Sequence, residues 1–178
     1  MDANNLTEAT LRFVRENEAL VEAVLFILAF GESIVLFSFF IPASILFLAI
    51  GGLHGASGGN LLPLLLAGTC GAFLGDLVSY WIGWRYRHDL TQRWPFRNNP
   101  EWLPRARAFF DKWGIAGVVV AKFIGPMRPL VPTISGAVAM PGRSFVAASA
   151  VSSFVWSLVF LGPTFYGAEW LMRLRPLS

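Results

Sequence analysis

Cysteine and charge are both scarce in this 178-residue sequence, with one cysteine and 14% Asp, Glu, Lys and Arg, against roughly a quarter charged in ordinary soluble domains. The single Cys70 excludes an internal disulfide framework. It stands in an apolar run, where a small buried hydrophobe is expected. So little charge cannot wet the surface of a soluble domain, and so apolar a chain is not a disordered one. Histidine is nearly absent as well: His54 and His88 read as solvated loop residues, and neither is spaced with Ser44 or any acid as a triad or a metal site. No glycine-rich phosphate loop with a following lysine occurs, so Gly51-Gly52 and Gly58-Gly59 read as turn glycines. Enzymatic chemistry, a metal and a cofactor are therefore not expected. Met1-Asp2-Ala3-Asn4-Asn5 lacks the basic region that opens a cleavable signal.

What is present is apolar, with 55% hydrophobic and 15% aromatic residues and a mean hydropathy of +0.57. This predicts an all-α polytopic membrane protein. Apolar spacing over residues 5–22, with Asn5 and Glu8 placed as a capping box, predicts an amphipathic helix at the membrane surface. From Ala19 to Leu53 an apolar stretch is interrupted by Gly31-Glu32 and by Pro42. One span needs about 20 residues and two need about 40 plus a turn, so a re-entrant pair of short helices over about 23–53 fits better. Residues 61–84 then form a full span. Residues 85–113 carry seven bases against three acids, which makes this a cytoplasmic loop. Inside it Trp102, Leu103, Ala106, Phe109, Phe110 and Trp113 form an apolar stripe edged by Arg105, Arg107 and Lys112, the pattern of an interfacial helix on anionic lipid rather than a nucleic-acid surface. Residues 114–142 are again apolar and broken, by Gly125-Pro126, Pro129 and Pro132, and 144–170 supply a last span. Residues 1–178 thus read as one membrane domain whose halves, 1–84 and 114–178, repeat one order of elements, as inverted-repeat transporters do.

Ionisable residues within such segments cost several kcal/mol in hydrocarbon and mark a pathway or a pair. Four qualify: Glu32, Asp76, Lys122 and Arg128. Two acids in the first half and two bases in the second predict pairing across the interface of the halves. Lys122 and Arg128 would diverge by about 240° on an unbroken helix. The Gly125-Pro126 break lets both turn to one cavity, where a guanidinium fork and an ammonium suit phosphate or carboxylate. Asp76, Tyr80 and Gly83 share a helix face with Thr69 and Ala72, while Gly71 and Gly75 make a small-xxx-small contact surface. Glu32 and Asp76 either titrate or neutralise the bases.

Three blocks resemble the DedA family, the bacterial branch of the proteins with a VTT domain. They are Gly31-Glu32 with Ile41-Pro42-Ala43-Ser44 and Gly51-Gly52; Gly75-Asp76 with Tyr80 and Gly83; and Lys122-Phe123-Ile124-Gly125-Pro126-Met127-Arg128 with Pro132, Gly136 and Met140. Phe145 and Trp156 continue the pattern. The resemblance implies two facing re-entrant hairpins in a bacterial inner membrane and movement of lipids between leaflets, with polyprenyl phosphates such as undecaprenyl phosphate, or phosphatidylethanolamine, as substrates. The chain departs from the family at Ser44, where an acid is common, at Lys122, where arginine is usual, and at Ser149, where asparagine is usual. The reading is a lipid flippase or scramblase in which Lys122 and Arg128 hold a lipid phosphate, Glu32 and Asp76 couple to protons or pair charges, and Pro42, Ser44, Tyr80, Gly125, Pro126 and Pro132 support the site. A proton-coupled ion or small-solute antiporter, a general phospholipid scramblase and a non-transporting assembly factor stand as alternatives. Membrane lipids with anionic headgroups are the expected partners, and a homo-oligomer is left open.

Overall fold

The computed structural model describes residues 3–34, 43–90, 96–123 and 128–174, and among the described residues there are helices and turns but no strand. Helix α1 (Ala3–Glu16) stops at Asn17, whose side-chain amide donates to the Phe13 carbonyl at 2.9 Å, and α2 (Glu18–Glu32) begins directly after it. The single helix expected over 5–22 is therefore two: Asn17 takes φ −126° and ψ 40°, outside the helical region, and its side chain shares the Phe13 carbonyl with its own N–H. Helix α1 is already formed at Ala3, so Asn5 is not its cap. Then follow α3 (Ala43–Ala56), α4 (Leu61–Arg85), the short α5 (Arg87–Leu90), a 3₁₀ turn at Phe96–Asn98, α6 (Trp102–Lys122), α7 (Leu130–Ala137) and α8 (Gly142–Leu174). Gly114, at φ 51° and ψ −128°, bends α6 into an amphipathic arm and an apolar arm. Only glycine takes that conformation without a Cβ penalty. Pro63, Pro104 and Pro132 each stand third in their helix, within the first turn, where no intrahelical N–H is lost.

Helices α4 and α8, of 25 and 33 residues, are long and apolar enough to cross a membrane. Helices α2 and α3, with 15 and 14 residues, reach only about 22 and 21 Å at 1.5 Å per residue, against a hydrocarbon core of about 30 Å. The apolar arm of α6 and the 8-residue α7 are shorter still. Their packing is crossed. Helix α2 lies on α4 and α6 lies on α8, so the first helix of each broken segment packs on the long helix that follows it. Helix α3 lies on α8 and α7 lies on α4, so the second helix packs on the long helix of the other half.

Glycines set these approaches. A Cβ on Gly71 or Gly75 would run into the Phe26 or Phe30 carbonyl of α2; one on Gly83 or Gly136 would strike backbone across the α4–α7 contact; one on Gly55 would strike Phe165 of α8. Such close backbone approach is how helices associate in lipid, where apolar side chains gain nothing by leaving it. Helices α3 and α7 also end alike. Gly58 N–H bonds Gly55 O and Gly59 N–H bonds His54 O after α3; Ala139 N–H bonds Gly136 O and Met140 N–H bonds Ser135 O after α7. Both are Schellman motifs with a left-handed residue at C′, Gly58 (φ 77°) and Ala139 (φ 57°).

Beside two buried apolar clusters, burial departs from that of a water-soluble domain in two ways. Ser79, Asp76, Lys122, Ser135, Ser149 and Ser152 are buried, while Ile27, Ile45, Leu62 and Trp170 are each more than half exposed. An interior that collects hydroxyls and charge beneath an apolar coat is stable only where the surrounding solvent is hydrocarbon. Three sequence expectations change accordingly. Cys70 is exposed, since an apolar position on a lipid-facing helix points outward. Gly51 and Gly52 lie inside α3, and Gly51 faces Leu161 and Thr164 of α8. His54 is helical and 1% exposed, its Nε2 3.1 Å from the Asn60 carbonyl; His88 sits in α5, exposed, beside Arg87.

Candidate functional site

Asp76 is fixed at the middle of α4 by the glycine contact with α2 on one side and α8 on the other. Lys122, the last residue of α6, forms an ion pair with its Oδ2, and both side chains are about 95% buried. Two hydroxyls of α8 complete the cluster. Ser149 Oγ donates to the same carboxylate oxygen at 2.6 Å and accepts from Lys122 Nζ at 3.3 Å, and Ser153 Oγ donates to Asp76 at 3.2 Å. The carboxylate therefore keeps two neutral donors that do not depend on the lysine.

Arg128, one residue ahead of the Pro129 that caps α7, pairs with Glu32 at 2.5 Å, each side chain only 11–12% exposed. Its guanidinium lies 3.6 Å over the Trp156 ring, which in turn packs edge-on against Phe47 at 4.6 Å. This cation–π contact fixes one face of the guanidinium and leaves the edges for oxygen ligands. Helix α6 ends at Lys122 and α7 resumes at Leu130, so the two bases bracket the break. The acids of the first half thus meet the bases of the second.

The remaining sequence candidates fall elsewhere. Tyr80 donates its hydroxyl to the Met140 carbonyl at 2.5 Å and stacks on Phe145 at 4.4 Å, so it braces the turn after α7 rather than the charges. Pro132 is fully buried in the first turn of α7. Ser44 opens α3. Pro42, Gly125 and Pro126 lie outside the described residues, as does the side chain of Ser44. Sequence reasoning missed Ser153 and Trp156 as direct partners of the charges. The available signal was the spacing of Ser149, Ser153 and Trp156 on one face of an apolar helix. No group of His, Cys, Asp and Glu among the described residues could hold a metal ion.

An all-helical protein with an apolar coat, two membrane-length helices and two acid–base pairs inside the bundle, one buried and one nearly so, is a membrane protein whose interior is built around charge. A VTT domain matches residues 41–165, and the chain belongs to this VTT-domain (DedA) family. It is 32% identical over 137 residues to an uncharacterized membrane protein of Buchnera aphidicola, covering 77% of this chain and 54% of that one. It is 30% identical over 141 residues to inner membrane protein YabI of Escherichia coli (79% and 53%). Inner membrane protein YqjA of Escherichia coli matches at 32% over 139 residues (76% and 62%). The chain spans about half the length of the first two of these relatives. Like the two Escherichia coli proteins it is a protein of the inner membrane. No solved structure matches it.

Proposed function

We propose that this protein moves a phosphate-bearing lipid between leaflets as a flippase or scramblase, without covalent chemistry, and that undecaprenyl phosphate is its first substrate. The observation that carries the reading is the pair of bases bracketing the α6–α7 break, Lys122 buried and Arg128 largely covered, each held by an acid from the other half. The crossed packing and matching Schellman ends of α3 and α7 support two re-entrant hairpins related as an inverted repeat. A lipid phosphate would work by exchange of partners. Lys122 leaves Asp76 for phosphate while Ser149 and Ser153 keep the carboxylate satisfied, and Arg128 turns an edge from Glu32 while staying on Trp156. A phosphate monoester, at about −1.5 to −2 charge, matches two bases better than a zwitterionic headgroup does.

The test is translocation of labelled lipids by purified protein in liposomes, with undecaprenyl phosphate, phosphatidylethanolamine and phosphatidylglycerol in parallel. Lys122→Ala and Arg128→Ala should each abolish transport while folded protein is still recovered, and Lys122→Arg should keep it. Normal transport by both alanine variants refutes the phosphate site. Proton-driven movement of an ion or small solute with no lipid movement selects the antiporter reading, which the carboxylates beside both bases also support.

The basic segment 85–113 gives a second expectation. A cysteine introduced at the exposed Asn98, in a Cys70→Ala background, should resist a membrane-impermeant maleimide applied to intact cells and react once the cells are opened. Labelling from outside would reverse the proposed orientation.

A further inference from the structure

We propose that the groove between the amphipathic arm of α6 and α7 holds one acyl chain of an anionic glycerophospholipid whose phosphate sits on Arg105. The groove has a volume of about 440 Å³ and is lined by Trp102, Arg105 and Phe109 from the arm, Ala121 from the end of α6, and Val131 and Ile134 from α7. Its size falls in the range of small-ligand sites, about 300–1,000 Å³. The walls fix the kind of occupant. Water in so apolar a groove would lack the two to four polar partners it needs, so the occupant is a hydrocarbon chain.

Arg105 fixes its charge. It is the one charged residue among the groove's lining, it is exposed, and it enters no ion pair among the described residues. A guanidinium at the mouth of an apolar slot matches an oxyanion joined to a chain, the chemistry of a phospholipid, with the fork on phosphate and the chain below. The arm itself carries Arg107 and Lys112, and Trp113 at its end is more than half exposed, as interfacial anchoring requires. Ala121 puts the inner wall next in sequence to Lys122, yet neither Lys122 nor Arg128 lines the groove. The site therefore holds a lipid whether or not the chain translocates one.

Bromine on an acyl chain quenches tryptophan only at contact. The purified protein is reconstituted in phosphatidylcholine vesicles containing an equal mole fraction of either dibrominated phosphatidylglycerol or dibrominated phosphatidylcholine. The fluorescence removed by Trp102→Phe reports on the groove. Trp102 should favour the brominated phosphatidylglycerol about fivefold, the partition preference that one surface arginine confers. Arg105→Gln, at an exposed position, should bring the two lipids to equality, and Ala106→Phe should lower quenching by both. Equal quenching in the unmodified protein, or a preference that survives Arg105→Gln, overturns the proposal. Quenching by neither lipid in a protein that cross-links as a dimer overturns it too, and gives the groove to a second copy. Loss of transport in Lys122→Ala with unchanged Trp102 quenching would separate this site from the transport reading.

Discussion

Asp76→Asn is expected to lower the stability of the folded protein by roughly 3–5 kcal/mol, because it strands Lys122 as an uncompensated charge inside the bundle. Unfolding in mixed micelles, followed by tryptophan fluorescence, measures this. Asp76→Asn combined with Lys122→Met should recover most of the loss, since the desolvated charge goes with its partner, while transport stays absent for want of the base. A single Asp76→Asn variant as stable as the unmodified protein would show that Lys122 finds another counter-charge and would dissolve the assignment of the pair. Ser149→Ala and Ser153→Ala should cost less, about 1.5–3 kcal/mol each, because a hydrogen bond to a charged group is lost while the ion pair remains.

Gly136→Val is the second large effect. Its Cβ would meet the Tyr80 carbonyl and lie 2.7 Å from Trp84 N, both backbone atoms of α4 that have no rotamer to change. Overpacking of this kind costs roughly 1–3 kcal/mol or more, and here it separates α7, with Arg128 at its entry, from the helix that carries Asp76. Gly83→Ala should act on the same contact from the other side, against Thr133. Gly167→Ala is the counterpart: nothing lies within 4 Å of its Cβ position inside α8, so the substitution should stabilise by about 0.5–1 kcal/mol through helix propensity alone. Equal effects at positions 136 and 167, read in the same micelle assay, would mean that the α4–α7 contact is not close.

The four paired charges are legible in the sequence because an ionisable residue in an apolar run is costly enough to stand out, and their signs by half indicate who meets whom. The hydroxyls around them are less so. A serine costs little in a membrane helix, so the spacing of Ser149, Ser153 and Trp156 on one face of α8 is a weak signal beside four ionisable residues. His54 misleads because glycines at 51, 52 and 55 argue locally for a loop. Those glycines instead admit the backbone of α8, and tertiary packing overrides their low helix propensity. Cys70 misleads through a rule imported from water, where apolar means inside. The end of the amphipathic helix at Asn17 lies in one residue's non-helical backbone conformation, which periodicity does not register.

The crossed packing also constrains how the protein is made. When α3 and α4 have left the ribosome, the glycine face of α3 has no α8 to cover it and Asp76 has no lysine within the chain so far synthesised. The nascent first half must wait in the membrane with two carboxylates, Glu32 and Asp76, whose bases are still to be made, until Lys122, Arg128 and then α8 arrive. Chains terminated within the basic loop would hold that unfinished state permanently, with neither base to complete the site.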